Sequence, residues 1–278
     1  MTKTWFITGV SSGLGRAMTE KLLARGDRVA GTLRKPGALQ QLERQYGDRL
    51  WLRQMDVTDT PAVRRVVDEA FAALGRIDVV VSNAGYGLFG AAEEVSDEQI
   101  RAQIDTNLIG SIQVIRAAVP HLRKQGGGRI LQVSSEGGQI AYPNFSLYHA
   151  TKWGIEGFVE AVAQEVEAFN IQLTLIEPGA TATDFGKSLV SPPPLEVYEN
   201  TAAGAMRRAV KSGTGFTFAD ANKTVDAMIA CADGSKVPRR LLLGSGSYDR
   251  MHAAFTARLA EFEANEAITR STDLGASH

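Results

Sequence analysis

The chain's 278 residues, 44% hydrophobic and 22% charged, exclude a disordered polypeptide and supply enough apolar material for a sheet covered on both faces. With 30 Lys and Arg against 31 Asp and Glu, a formal net charge of -1 and no long basic run, nothing in the charge draws the chain to nucleic acid or to an anionic membrane surface. Cys231 is the only cysteine, which excludes an intrachain disulfide, and His121, His149, His252 and His278 are too scattered for a metal site and are read mostly as surface residues.

From the N-terminus, Met1 to Ile7 run straight into a glycine-rich turn without the charged start and cleavage site of a signal peptide. No apolar stretch reaches bilayer-spanning length, so a cytoplasmic, reducing setting is expected. The first β-type run, Trp5–Thr8, leads into a helical pattern over Gly15–Arg25, and a second, Arg28–Leu33, is followed by a third, Leu50–Met55. Then come a helix over Pro61–Leu74, a strand over Ile77–Ser82, a long helix over Asp97–Lys124, a strand over Arg129–Ser134, a second long helix over Ser146–Phe169 and a strand over Ile171–Ile176. The alternation breaks between Thr181 and Gly215, an interval holding Ser191-Pro192-Pro193-Pro194 but also Phe185, Leu189, Leu195, Val197 and Tyr198, with Phe216 and Phe218 just beyond it. It is too apolar for a solvated linker and reads as a lid over a pocket, placed at about residues 184–218. Helical pattern resumes near Ala219, a seventh strand is expected at Arg239–Leu243, a helix at Tyr248–Ala267, and residues 271–278 read as a frayed tail. Strand and helix in alternation predict α/β architecture: a single domain over residues 1–270, Rossmann-like, with a doubly wound parallel sheet of seven strands and helices on both faces.

Between the first strand and the first helix stands Thr8-Gly9-Val10-Ser11-Ser12-Gly13-Leu14-Gly15. Glycines there let the turn close and let backbone N–H groups reach a diphosphate at the positive end of the helix, although glycines alone would also suit an ordinary tight turn. Tyr148 and Lys152, four residues apart in a helical segment, project from one face. A phenol of ordinary pKa, about 10, is a poor base at neutral pH, and a nearby ammonium would favour its ionised form. Isolated, such a pair is as consistent with a helix-face aromatic and a solvated lysine.

The Thr-Gly-x-x-x-Gly-x-Gly spacing resembles that of the short-chain dehydrogenase/reductase family, and the resemblance continues, in order, at Asp56-Val57, Asn83-Ala84-Gly85, Asn107, Ser135, Tyr148-x-x-x-Lys152 and Pro178-Gly179. It covers about Lys3 to Thr183 and implies a nicotinamide dinucleotide cofactor and hydride transfer between a carbonyl and an alcohol. By resemblance, Gly9, Ser11, Ser12, Gly13, Leu14 and Gly15 cradle the diphosphate, Asp56 and Val57 flank the adenine, and Asn83, Ala84 and Gly85 line the cofactor. Asn107, which from its own surroundings would pass for a helix surface residue, matches the asparagine that kinks its helix and holds a water leading to Lys152. Ser135, thirteen positions before Tyr148, matches the hydroxyl that polarises the substrate oxygen; Ser134 is its competitor. Tyr148 is then the proton donor or acceptor and Lys152 grips the nicotinamide ribose. Pro178, Gly179, Thr181 and Thr183 fall where relatives contact the carboxamide, though either threonine could be capping a local turn.

Cofactor choice is read at the end of the second strand, where Leu33 stands in place of the acid that would select NAD(H). Arg34 follows, and its planar fork suits a 2′-phosphate, so NADP(H) is expected. The expected substrate is a small hydrophobic carbonyl or alcohol, and the family suggests a homodimer or homotetramer through the two long helices. The rival reading is a nucleotide-sensing regulator of the same fold, which would be expected to have lost Tyr148 or Lys152.

Overall fold

The computed structural model describes residues 2–274. The strands β1 (Thr4–Thr8), β2 (Arg28–Leu33), β3 (Leu50–Gln54), β4 (Val79–Ser82), β5 (Gly128–Val133), β6 (Ile171–Pro178) and β7 (Arg240–Leu243) form one sheet in the order β3-β2-β1-β4-β5-β6-β7, every neighbouring pair parallel. The helices are α1 (Gly13–Arg25), α2 (Gln40–Tyr46), α3 (Thr60–Leu74), α4 (Asp97–Ile104), α5 (Ser111–Lys124), α6 (Ser146–Val166), α7 (Ala202–Ser212), α8 (Ala221–Asp233), α9 (Ser245–Ala264) and α10 (Glu266–Arg270). This is the doubly wound, Rossmann-like sheet that the alternation of patterns predicts.

The inner strands are largely apolar and buried because both faces are covered, while the edge strands β3 and β7 are only partly buried; alternate residues enter different cores. Phe6 is in register with Ala30 and Val80, Val80 with Ile130, and Ile130 with Leu173, making a row that packs on α3, α5 and α6 through Val63, Ile115 and Ile155. Trp5, Ile7, Val29, Val81, Leu131 and Ile176 face the other way, onto Met18 and Leu22 of α1 and Val225 and Met228 of α8. The chain runs outward from β1 to β3, then crosses back to β4, so the carboxyl ends of β1 and β4 diverge into a crevice, the usual ligand position in such sheets.

Two expectations need correction. The helix predicted over Asp97–Lys124 is interrupted by a π turn at Asp105–Gly110 between α4 and α5. The interval read as an irregular lid contains α7, whose N-cap Thr201 accepts a hydrogen bond from the Ala203 N–H, and α2 was not anticipated at all. Of the expected frayed tail, residues 271–274 are exposed, and 275–278 lie outside the described residues. No helix among the described residues is long and apolar enough to cross a membrane, and none of their His, Cys, Asp and Glu side chains cluster in threes as a metal site would need.

Candidate active site

At the crevice, the β1 and β4 ends are tied together by Thr8 and Asn83. The Thr8 hydroxyl accepts from the Asn83 and Ala84 N–H groups at 2.9 and 3.0 Å, while the Asn83 amide donates to the Thr8 and Gly9 carbonyls at 2.9 and 3.2 Å. The turn into α1 tolerates no side chain at two of its glycines. A Cβ on Gly15 would stand 2.3 Å from the Gly9 carbonyl oxygen, and one on Gly9, already at φ 75°, would press on Ala84 at 3.1 Å. Gly13, at φ 57°, is different: a Cβ there would meet no described atom within 4 Å, so it faces open space.

Side chains cap α3, α4 and α8, from Asp59, Ser96 and Asp220. The N-cap of α1, Ser12, makes no such bond, and the first turn holds no acid. Its leading N–H groups therefore have no side-chain acceptor, and Ser12, Gly13 and Leu14 line the cleft at the positive end of the helix dipole, an arrangement that suits a diphosphate. This recess fits the dinucleotide implied by the sequence.

A single cleft of about 1080 Å³ continues from this turn. Gly9, Ser11, Ser12, Gly13, Leu14, Arg34, Asp56, Val57, Asn83, Ala84 and Gly85 line one end, and Ser135, Tyr148, Lys152, Pro178, Gly179, Thr181 and Thr183 the other. Of the residues singled out in the sequence, Gly15 and Asn107 stand behind its wall. The Asp56 carboxylate accepts from Thr58 N–H and hydroxyl at 3.0 and 2.8 Å, and Val57 packs where Gly110 leaves room. Tyr86 also lines the cleft; burial pushes its phenol up, and the positive charge of Arg34 opposes that shift.

Asn107 is not a surface residue. The π turn swings it inward to 1% exposure, where its amide donates to the Tyr86 carbonyl at 2.9 Å and accepts from the Tyr86 N–H at 3.1 Å, fixing the loop after Asn83. Ser134 also lines the cleft, but its hydroxyl donates to the buried Glu156 carboxylate at 2.5 Å. The Ser135 hydroxyl accepts from Gly137 N–H at 3.0 Å and donates to the Pro178 carbonyl at 3.4 Å, and its hydrogen bonding acts to lower the Tyr148 phenol.

Tyr148 and Lys152 emerge from the first two turns of α6, and both are buried. Burial pushes the phenol up to about 12, against the Ser135 hydrogen bond and with help from the nearby Glu136 and Glu156 charges. The same burial brings the Lys152 amine down to about 8, opposed by Glu156. The expectation that the lysine lowers the tyrosine is thus not met: its Nζ donates to the Val133 carbonyl at 3.0 Å and stands 5.5 Å from the phenol ring centre. At neutral pH the geometry presents a protonated phenol and an ammonium side by side.

Thr181 donates to the Gly179 carbonyl at 3.0 Å and Thr183 accepts from Phe185 N–H at 3.3 Å, local turns that leave both residues on the cleft wall. Beyond Tyr148 the wall becomes aromatic, with Tyr142, Phe145, Phe185, Phe216 and Phe218. His149, read as a surface residue, is buried: its ring bonds the Gly137 carbonyl and accepts from Tyr142 N–H, both at 2.9 Å. Sequence reasoning missed Tyr86, Glu136, Tyr142, Phe145 and His149 as cleft residues, and only the closeness of the last three to Tyr148 could have suggested them.

Segment 181–219 is fastened at several points. Val190 pairs with Leu88 as a parallel bridge and accepts from Phe89 N–H at 2.8 Å, and Thr181 is bridged to Ala219. Arg207 of α7 grips both oxygens of Glu94 at 2.8 Å, Glu94 also accepts from Leu195 N–H at 2.7 Å, and Asn144 donates to the Ala203 carbonyl at 2.7 Å.

Comparison with known proteins agrees with this geometry. The profile of the family described as short chain dehydrogenase matches residues 3–193. The oxidoreductase BOA17 of Botryotinia fuckeliana is 40% identical over 246 residues, 88% of this chain and 89% of that protein. A 3-ketodihydrosphingosine reductase of Bacteroides thetaiotaomicron is 36% identical over 179 residues, 64% of each chain. Among solved structures, a short-chain dehydrogenase from Streptomyces avermitilis superposes with a TM-score of 0.91 at 36% identity, covering 99% of this chain and 100% of its own. With the family profile spanning more than half its length and relatives alike nearly end to end, the chain is an oxidoreductase of the short chain dehydrogenase family.

Proposed function

We propose that the protein interconverts a ketone or aldehyde with the corresponding alcohol, using NADP(H), on a small hydrophobic substrate. The observation that carries this reading is the meeting of Ser135, Tyr148 and Lys152 in one cleft with the uncapped start of α1. Bound there, the nicotinamide supplies or accepts the hydride. Tyr148, protonated at neutral pH with its phenol at about 12, gives its proton to the oxygen of a carbonyl undergoing reduction. Ser135 donates a hydrogen bond to that oxygen as negative charge grows on it. Lys152 places a positive charge beside the phenol and offers donors to the ribose. Asn107 acts from behind the wall, holding the loop at Tyr86.

Gly9, Gly13 and the first amides of α1 receive the diphosphate, and Arg34, exposed at the cleft rim where Leu33 replaces an acid, holds the 2′-phosphate. The aromatic wall and the fastened segment 184–218 favour an apolar substrate, as does likeness to a relative named for reducing a long-chain keto compound. Assembly as a homodimer or homotetramer through α5 and α6 suits the exposed Ile109 just before α5.

The test is Tyr148→Phe with a panel of aliphatic, aromatic and polycyclic ketones and NADPH. Turnover should fall by about 10²-fold or more while NADPH still binds; near-wild-type turnover would overturn the assignment of the proton donor.

A further inference from the structure

Ser135 stands between Ser134, tied through Glu156 to Arg240, and Glu136, tied directly to Arg250, both arginines coming from the far end of the chain. On one side, Ser134 donates to Glu156 at 2.5 Å, and the Glu156 carboxylate is held by Arg240 of β7 and by Gln139. Arg240 also grips Glu177 at 2.6 Å and Glu160 at 2.7 Å. On the other side, Glu136 takes one guanidinium nitrogen of Arg250, in α9, at 2.9 Å from each oxygen, and the same guanidinium donates through Nε to the Tyr142 hydroxyl at 3.0 Å.

The carboxylates are the buried members of both pairs, with Glu136, Glu156 and Glu177 side chains at 9, 3 and 1% exposure. A buried carboxylate left without its cation would swing toward water or take up a proton, and the backbone carrying it would follow. For Glu136 that backbone is the loop carrying Ser135, whereas Glu156, on α6, reaches the loop only through its hydrogen bond from Ser134. Ser135 is in extended conformation between the two anchor points, with its hydroxyl turned back to Gly137 N–H and its carbonyl accepting from Gly138 N–H at 2.9 Å. The start of α9 also touches the opposite wall, since a Cβ on Gly179 would stand 1.8 Å from the Ser247 hydroxyl.

We propose that Arg250 and Arg240 are positioning residues for Ser135, a clamp supplied by the C-terminal segment beyond residue 193, where the family profile ends. The clamp acts on kcat because a donor to a developing oxyanion works only within a few tenths of an ångström of its place, whereas the diphosphate recess is built from β1, β4 and α1 and does not touch either arginine. The inference rests on Ser135 being the polarising hydroxyl of the proposed function.

The experiment compares Arg250→Met, Arg250→Lys and Glu136→Gln in the full chain by two readouts. The first is amide hydrogen exchange across residues 133–142 without added nucleotide, with the turn at 8–15 as internal reference. Arg250→Met should speed exchange at Gly137 and Gly138 and leave the reference unchanged, and lysine should restore part of the protection. The second is steady-state kinetics: kcat for carbonyl reduction should drop about 10- to 100-fold in Arg250→Met while KM for NADPH stays within about twofold. Should Arg250→Met fail to fold, Glu136→Gln, which keeps the shape and one acceptor, must show the same pattern in milder form.

Unchanged exchange together with unchanged kcat would overturn the clamp. So would faster exchange at the reference turn with equal losses in kcat and NADPH affinity, the signature of general loosening. If the wild-type protein reduces no carbonyl, the functional reading fails, and exchange alone decides whether Arg250 holds the loop.

Discussion

The two ends of the cleft are built by different means. The end at β1, β2 and α1 is made of backbone: close-packed glycines at 9 and 15, a helix start with free amides, and strand ends tied by one threonine and one asparagine. The end beyond Tyr148 is made largely of side-chain contacts that join distant parts of the chain, with Glu94 and Arg207 paired across 113 positions, Glu136 and Arg250 across 114, and the Asn144 side chain donating to the Ala203 carbonyl 59 positions on. Backbone geometry recognises what all dinucleotides share, whereas side-chain pairs can be exchanged without rebuilding the sheet. A family can therefore keep one cofactor cradle while varying what it admits beside it.

That contrast can be broken. Arg207→Met leaves Glu94 buried without its cation and should cost on the order of 3 kcal/mol of stability in denaturant unfolding. It should loosen exchange in α7 and leave NADPH binding intact, and equal weakening of both ends would abolish the distinction. Arg34→Ala sharpens it from the other side: KM for NADPH should rise about tenfold and that for NADH hardly change, because only the former has a 2′-phosphate to lose. Equal changes would remove Arg34 from that role.

A smaller effect comes from pH. Burial takes the Lys152 amine down to about 8, so carbonyl reduction should be half lost near that pH and fall further above it. The stability sign is opposite. An unfolded lysine keeps its proton to about 10.4, so between about 8 and that value the unfolded chain binds more protons, and this group's contribution to stability rises with pH. A reductive rate flat from pH 7 to 10, measured with a pH-insensitive ketone, would show that the Lys152 charge is not required.

Much of the nucleotide end was readable in sequence because its parts are contiguous: a strand, a turn spelled by glycines, then a helix. Tyr148 and Lys152 were readable because helical periodicity places residues four apart together. The tyrosine's pKa was not, since burial raises it and the nearby Glu136 and Glu156 charges add to that shift, and both are properties of the folded chain. α7 was hidden by the prolines before it and the glycines after it, which mask an eleven-residue amphipathic helix capped by Thr201 at its start and Gly213 at its end. His149 escaped notice because both its partners are backbone groups of an irregular loop, and Arg250 because nothing local in α9 points to Glu136.

The π turn at Asp105–Gly110 does more than turn one asparagine inward. An extra residue in a single turn advances the helical phase by about 100°, so the rod from Asp97 to Lys124 presents differently aimed stripes before and after the slip. Its first part leans on α6 and its second on α3 as well as α6, so the rod meets two neighbours on differently aimed faces. Deleting one residue there would put the whole downstream rod out of phase with the core, which ties the inward amide at 107 to the packing of half the sheet.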